Sequence, residues 1–208
     1  CWVLKCDIKK FFANIDHTVL IKILQEYIPD KNIIKLLSKI IGSFSSNKNS
    51  VGLPLGNLTS QLFVNIYMNK FDQFIKHKLK AKYYIRYADD FVILSENKQW
   101  LEKQIMFIKI FLSNKLKLEM HPNKIFIKTF SSGIDFLGII NFPNHKILRT
   151  KTKNRMFKKM KAKKKMLENN MINKGHFNQS LQSYLGILKH CNGYKTKQRL
   201  LGFLEKNW

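Results

Sequence analysis

Tyr83-Tyr-Ile-Arg-Tyr-Ala-Asp-Asp-Phe-Val-Ile-Leu94 is the stretch that decides the reading of this chain. Apolar and aromatic residues flank Ala88-Asp89-Asp90 on both sides, which predicts two strands folded back at a hairpin turn. Adjacent acids at such a turn repel each other, and a hard divalent cation held by carboxylate oxygens is the commonest reason to keep them together. Trp2 to Ile8 reads as a further buried strand that delivers Asp7 at its end. Asp7, Asp89 and Asp90 are therefore the candidate catalytic residues and metal ligands. A solvated acid pair at a turn competes as an explanation for Asp89 and Asp90 alone, and does poorly once Asp7 and Tyr87 are included. Oxygen donors suit Mg²⁺ or Mn²⁺, and two such ions roughly 4 Å apart activate an attacking 3′ hydroxyl and steady a leaving pyrophosphate. The chemistry implied is nucleotidyl transfer.

On the N-terminal side, Lys9 to Ile15 reads as a turn into a helix with Asp16 as its N-cap. Leu20, Ile23, Leu24, Tyr27 and Ile28 then share one helical face. Pro29-Asp30 restarts a second helix carrying Ile33, Ile34, Leu37, Ile40 and Ile41. Gly42 to Ser50, rich in Ser and Asn, reads as an exposed loop. Val51 to Gln61 leads into a helix running to about Lys80. Beyond the hairpin the pattern predicts a helix from about Lys98 to Asn114, with Leu101, Ile105, Ile108 and Leu112 inward. Strands near Lys117 to Met120, Lys124 to Thr129, Ile134 to Ile140 and Lys146 to Arg149 follow. This order is that of an α+β, ferredoxin-like sheet with helices on one face. After Arg149 the periodicity is wholly helical, with Met156, Met160 and Leu167 in one helix and Leu181, Tyr184, Leu185 and Leu188 in the next.

With 208 residues and 45% hydrophobic content, the chain can bury a real core. No stretch reaches the roughly 18 apolar residues of a membrane span, so no membrane partner and a cytoplasmic location are expected. Cys1, Cys6 and Cys191 lack paired spacing and read as reduced thiols. The net charge of +25, from 38 Lys and Arg against 13 Asp and Glu, points to a polyanion, with nucleic acid the first candidate. An AT-rich genome also inflates lysine, which explains abundance but not clustering. Nine Lys or Arg fall between Lys151 and Lys165 with no acid among them. A solvated helix face is the usual account of a charge run, but a run so one-sided reads as a phosphate-binding surface, with Lys158, Lys161 and Lys165 along a nucleic-acid backbone.

Asp7 with Phe12, then Gly52-Leu-Pro-Leu-Gly-Asn-Leu-Thr-Ser-Gln61, Tyr87-Ala-Asp-Asp90, His121-Pro-Asn-Lys124 and Phe136-Leu-Gly138 stand in the order of the palm motifs of reverse transcriptases. The chain resembles that family over nearly its whole length. Within the superfamily it is most similar to the reverse transcriptases of diversity-generating retroelements, through Gly56-Asn-Leu-Thr-Ser-Gln61 and Ser183-Tyr-Leu-Gly-Ile-Leu-Lys-His-Cys-Asn192. Group II intron and retron enzymes are the nearest alternatives. A noncatalytic nucleic-acid-binding module derived from a polymerase is the rival of another class, and the intact acids argue against it.

The resemblance implies a right-hand polymerase: a palm over 1–148 with a partial fingers insertion at about 17–50, and a basic helical thumb over 149–208. The fingers are expected to be largely missing, because only six residues precede Asp7, and activity of this stretch alone is then in question. The resemblance implies an RNA-directed DNA polymerase, bacterial or phage-encoded, that copies a template-repeat RNA into error-rich complementary DNA. Its implied companions are two Mg²⁺ ions, deoxynucleoside triphosphates, an RNA template, a DNA primer and a small, basic, helical accessory protein.

By the same resemblance the Ile8 carbonyl joins the metal ligands, and Phe12 is the steric gate under the sugar, with Phe11 beside it as the alternative. Leu55, Gly56 and Lys124 are implied nucleotide contacts. Gln61, Tyr87, Phe136, Leu137 and Gly138 are implied template and primer contacts, the last three as a tight hairpin presenting backbone to the primer end. Thr59 and Ser60 read more plainly as helix caps, Phe136 and Leu137 as apolar core, and Lys124 as a surface lysine.

Overall fold

The computed structural model describes residues 1–44 and 50–205. Residues 45–49 of the predicted Gly42 to Ser50 loop lie outside the described residues. Two compact units divide the chain, Cys1–Lys128 and Thr129–Trp208.

The first unit is built on β1 (Trp2–Asp7), β2 (Tyr83–Tyr87), β3 (Asp90–Ser95) and β4 (Phe126–Thr129), whose first three residues lie within it. The sheet order is β2-β3-β1-β4, the ferredoxin-like order expected from the sequence. The register is antiparallel and puts Trp2 opposite Ser95 and Asp7 opposite Asp90. Because side chains alternate, Leu4, Cys6, Phe91 and Ile93 share one face, and all are fully buried. Helices α1 (His17–Gln25), α2 (Lys31–Gly42), α3 (Leu58–Gln73) and α4 (Lys98–Leu116) complete the unit. Phe71 of α3 meets Phe91 of β3 edge-on at 5.0 Å. Tyr67 donates its hydroxyl to the Leu116 carbonyl at 2.6 Å. Burying each such ring contributes about 1.5–3 kcal/mol.

The helix ends follow their local chemistry. Asp16 caps α1 by accepting from Val19 N at 2.9 Å, as the sequence predicts. Asn57, rather than Thr59 or Ser60, caps α3, accepting weakly from Thr59 N at 3.4 Å. The helix expected to run to Lys80 widens after Gln73 into a π-helical turn, Phe74–Lys78.

Two strand expectations are corrected. Lys117 to Met120 forms no strand; Met120 makes only an isolated bridge to Ile8, because Lys117 closes α4 in the left-handed region and the next residues turn back. Ile134 to Ile140 is a hairpin rather than one strand, β5 (Ile134–Phe136) and β6 (Ile139–Asn141), joined through Leu137 and Gly138 at φ +53° and +81°. Positive φ at both central residues is the geometry of a type I′ turn.

The second unit holds that hairpin and β7 (Lys146–Leu148) as a separate three-stranded sheet, so the strands do not make one continuous sheet. Its helices are α5 (Thr150–Glu168), α6 (Lys174–Lys189) and α7 (Tyr194–Glu205). Met156, Met160, Phe177, Leu188, Leu200 and Leu204 form its own core. Among the described residues no helix is long and apolar enough to cross a membrane. Cys1, Cys6 and Cys191 are free thiols, as expected.

Candidate active site

β1 ends at Asp7, directly across from Asp90, and Tyr87 also pairs with Asp90 on the other side. The turn between β2 and β3 is tight, with Ala88 at φ +51°. Ile8 N donates to the Asp89 carbonyl at 3.1 Å, which ties the end of β1 to that turn. Three carboxylates are thus carried on adjacent main-chain positions by sheet register alone.

Their charges are managed by lysines. Lys124 Nζ reaches Asp7 Oδ2 at 2.9 Å, and Lys5 Nζ lies 3.5 Å from Asp90 Oδ1. Asp7 is only 8% exposed. Asp89 has its pKa raised, by burial first and then by the charges of Asp7 and Asp90, with Lys124 pulling the other way. Hydrogen bonding to Asp7 raises Lys124 in turn, reinforced by the charges of all three acids. Lys124 is placed by the 3-10 turn Pro122–Lys124, which His121 caps by accepting from Asn123 N at 3.2 Å. His121 N also donates to the Asp7 carbonyl at 2.8 Å.

Among the described residues no three His, Cys, Asp or Glu side chains converge as a ready metal cage. The ammonium groups of Lys124 and Lys5 draw the oxygens of Asp7 and Asp90 instead. The donor chemistry nonetheless fits a hard cation: carboxylate oxygens from neighbouring strands, one of them held at a raised pKa by burial and then by its like-charged neighbours.

The segment that follows β1 is laced to the segment before α3. Leu53 N donates to the Phe12 carbonyl at 2.8 Å, Gly52 N to the Ile15 carbonyl at 2.8 Å, and His17 Nε2 meets the Gly52 carbonyl at 2.7 Å. Phe11 is buried in the core while Phe12 is half-buried, their rings edge to face at 5.4 Å. Of the two, Phe12 is the one with surface to offer a ligand. Leu55 is 79% exposed, and Gly56 sits at φ +86°, a conformation that favours glycine. Gln61 is exposed on the first turn of α3, and Tyr87 is 62% exposed. In the second unit Phe136 is half-buried, Leu137 is exposed, and Gly138 accepts from Arg149 N at 3.1 Å. Lys158, Lys161 and Lys165 are exposed on α5, but Lys164 in the same run is buried and donates to the Leu204 carbonyl at 2.7 Å.

Sequence reasoning missed Lys5, Asp72 and Arg86. Arg86 lies on the helix-facing side of β2 and forms a two-pronged pair with Asp72 of α3, at 2.7 and 2.6 Å. Tyr84 adds its hydroxyl to Asp72 at 2.6 Å, and Arg86 also donates to the Ala88 carbonyl at 3.1 Å. The network braces the Asp89 turn against the helix. A charged residue at an inward position of an alternating strand was the signal for it, as was a lysine two residues before Asp7 on the same strand face. The Arg86 side chain is only 9% exposed, so Arg86→Met leaves the Asp72 carboxylate with the Tyr84 hydroxyl but no counter-charge and is expected to cost about 1–3 kcal/mol in urea unfolding. The double variant with Asp72→Asn is expected to recover part of that loss.

A family model for reverse transcriptase (RNA-dependent DNA polymerase) matches residues 1–141. The chain belongs to the reverse transcriptase family. The group II intron-encoded protein LtrA of Lactococcus lactis is 28% identical over 207 aligned positions, covering 66% of this chain and 34% of that protein. A putative COX1/OXI3 intron 2 protein of Saccharomyces cerevisiae is 25% identical, covering 66% of this chain and 23% of its own length. The telomerase of Candida albicans, solved with a fragment of telomeric RNA, is similar in fold with a TM-score of 0.54, at 16% identity over 97% of this chain and 41% of that one. The fold is therefore that of a right-hand polymerase. The chain spans about a third of the length of LtrA, the first of these relatives.

Proposed function

We propose that this chain carries the polymerising centre of an RNA-directed DNA polymerase, with a palm over 1–148 and a thumb over 149–208. The observation that supports this best is the pairing of Asp7 with Asp90 beside the Asp89 turn, within a ferredoxin-like sheet. In the reaction the primer 3′ hydroxyl gives its proton to water as its oxygen bonds to the α-phosphorus of a deoxynucleoside triphosphate, the bond to the bridging oxygen breaks, and pyrophosphate leaves. Asp7, Asp89, Asp90 and the Ile8 carbonyl would hold divalent cations, Mg²⁺ or Mn²⁺. Such ions, when bound, supply Lewis-acid activation and charge neutralisation.

The chain's own residues do the rest. Lys124, tethered to Asp7, is placed to exchange that carboxylate for a phosphate oxygen. Phe12 lies under the sugar and excludes a 2′ hydroxyl. Gly56 lets backbone approach the nascent pair, and Leu55 touches the nucleotide by shape alone. Gln61 and Tyr87 face the template and primer, Phe136 to Gly138 present backbone to the primer end, and Lys158, Lys161 and Lys165 follow the phosphates. Extension of a DNA primer on a defined RNA by the intact protein, with deoxynucleotides preferred over ribonucleotides, tests the proposal. No incorporation in Mg²⁺ or Mn²⁺ would sink it.

The finer reading is a diversity-generating enzyme, cytoplasmic and working with a small basic helical partner, and it rests on Gly56 to Gln61 and Ser183 to Asn192. Leu55→Gln is then expected to lower misincorporation opposite template adenine, because a polar contact made only with the correct nucleotide adds to the roughly 1–3 kcal/mol that apolar shape supplies. Sequencing of the complementary DNA from each variant checks it, and an unchanged adenine error rate counts against it. The second reading, an intron-type enzyme, is favoured by the intron-encoded relatives. Flanking DNA separates the two: near-identical repeats differing mainly at adenines mark the first.

A further inference from the structure

Away from the acids, α1, the end of α3 and the end of α4 surround a cleft of about 850 Å³, and none of the site residues above lines it. Its floor is aromatic. Phe74 and Phe111 stack in parallel at 4.2 Å and 13°, and both are half-buried, packed against the core while lining the cleft. The π-helical turn closes with Leu79 N donating to the Phe74 carbonyl at 3.0 Å, and it brings Phe74 and Lys78 to the same cleft. Turns of this kind recur at functional sites.

The rim is cationic. Glu26, the one acid of the lining, is taken up by Lys70, and Lys117 is held by Asp16 at 2.9 Å. Lys22, Lys78 and Lys115 stand exposed around the opening, with His77 beside them. A stacked ring pair that lines a cleft accepts another flat ring, and three exposed lysines that pair with no acid among the described residues accept phosphates. Base stacking on aromatics combined with lysine contacts to the backbone is how single strands are held. A duplex offers no free base face to such a floor, and an acidic helix would use the lysines but not the flat rings.

We propose that this cleft binds an unpaired segment of RNA, one base against Phe74 and Phe111 and the adjoining phosphates at Lys22, Lys78 and Lys115. The site is separate from the catalytic acids and holds RNA while a primer and template occupy the polymerising centre.

The test uses the intact protein saturated with a primer–template duplex. An oligouridylate carrying one 5-iodouridine is irradiated on it, and the adduct is mapped by mass spectrometry. The expected adduct is on Phe74, His77 or Phe111, with oligouridylate affinity about tenfold weaker in Phe74→Leu or Phe111→Leu. Lys78→Gln with Lys115→Gln is expected to lower the salt slope of that binding by about 0.7 per lysine, whereas Lys103→Gln with Lys109→Gln, exposed elsewhere on α4, leaves it unchanged. Because the lysine pair is exposed, it reads ligand contact even where a leucine variant loses stability. Adducts only outside the cleft, equal losses in both lysine pairs, or displacement of the RNA by polyglutamate with no effect of the leucine variants would each overturn the proposal, the last in favour of an acidic protein partner.

Discussion

Asp89→Asn and Asp7→Asn are each expected to slow Mg²⁺-dependent primer extension by about a thousandfold, a loss of roughly 4 kcal/mol of transition-state stabilisation. The two differ in what they do to the fold. Asp89 sits among like charges with its pKa raised by burial and by Asp7 and Asp90. A carboxyl whose folded pKa exceeds its unfolded one opposes folding when ionised. That penalty is absent below the unfolded pKa, grows as pH rises through the folded pKa, and is complete above it. Asp89→Asn is therefore expected to melt no lower than the parent in EDTA at neutral pH, and any gain it shows vanishes in acid.

Asp7→Asn should behave oppositely. Its carboxylate is nearly buried and paired with Lys124 at 2.9 Å, so neutralising it strands the lysine among fewer acids. It is expected to melt lower than Asp89→Asn in the same EDTA buffer, although both lose activity. Parent-like extension by either variant would remove that acid from the catalytic set. Identical melting shifts would show that Lys124 does not stabilise Asp7 in solution.

The sheet was legible because its code is short. Apolar flanks on both sides of Asp89 and Asp90, and a buried run ending at Asp7, mark the hairpin and the third strand, while the register that sets Asp7 across from Asp90 is visible only in the folded sheet. Asp16 as a cap needed only its place before a helical face. What escaped were interactions set by distant chain. Arg86 meets Asp72 of α3 only once the helix lies on the sheet, and nothing local to either residue names the other. Lys164 looked like its exposed neighbours, yet helical phase turns it to the Leu204 carbonyl. The apolar run alone hid the split at Leu137, since a bulky residue at positive φ breaks the usual preference for Asn or Gly in a type I′ turn, and only the family resemblance implied a hairpin there. Leu137 is exposed there, so its side chain earns no packing in exchange for the strain. Backbone held in this way is a pointer to function, consistent with the contact to primer proposed for it.

Affinity for a primer–template is expected to fall by about 10³ to 10⁵ between 50 and 200 mM salt, if some 6 to 10 phosphates are neutralised. The source proposed is α5, where nine Lys or Arg lie between Lys151 and Lys165. Not all of them are available. Lys164 is buried against the Leu204 carbonyl and Lys163 is bonded to Ser180, which leaves Lys158, Lys161 and Lys165 among the exposed cations of the helix. Lys158 and Lys165 are two turns apart and share a face, with Lys161 on the turn between them. Reversing these three to Glu is expected to flatten the salt slope by about 3 and to weaken binding uniformly across template sequences, because phosphate contacts carry no base information. Lys164→Met separates ligand contact from folding. It removes a buried donor to the α7 backbone, so it is expected to lower the melting temperature while leaving the slope intact. Fluorescence anisotropy titrations at four salt concentrations measure both variants. A triple variant that keeps the parental slope would make the run a solvated face, and a Lys164→Met variant that flattens it would mean that the lysine turned inward is the one that meets phosphate.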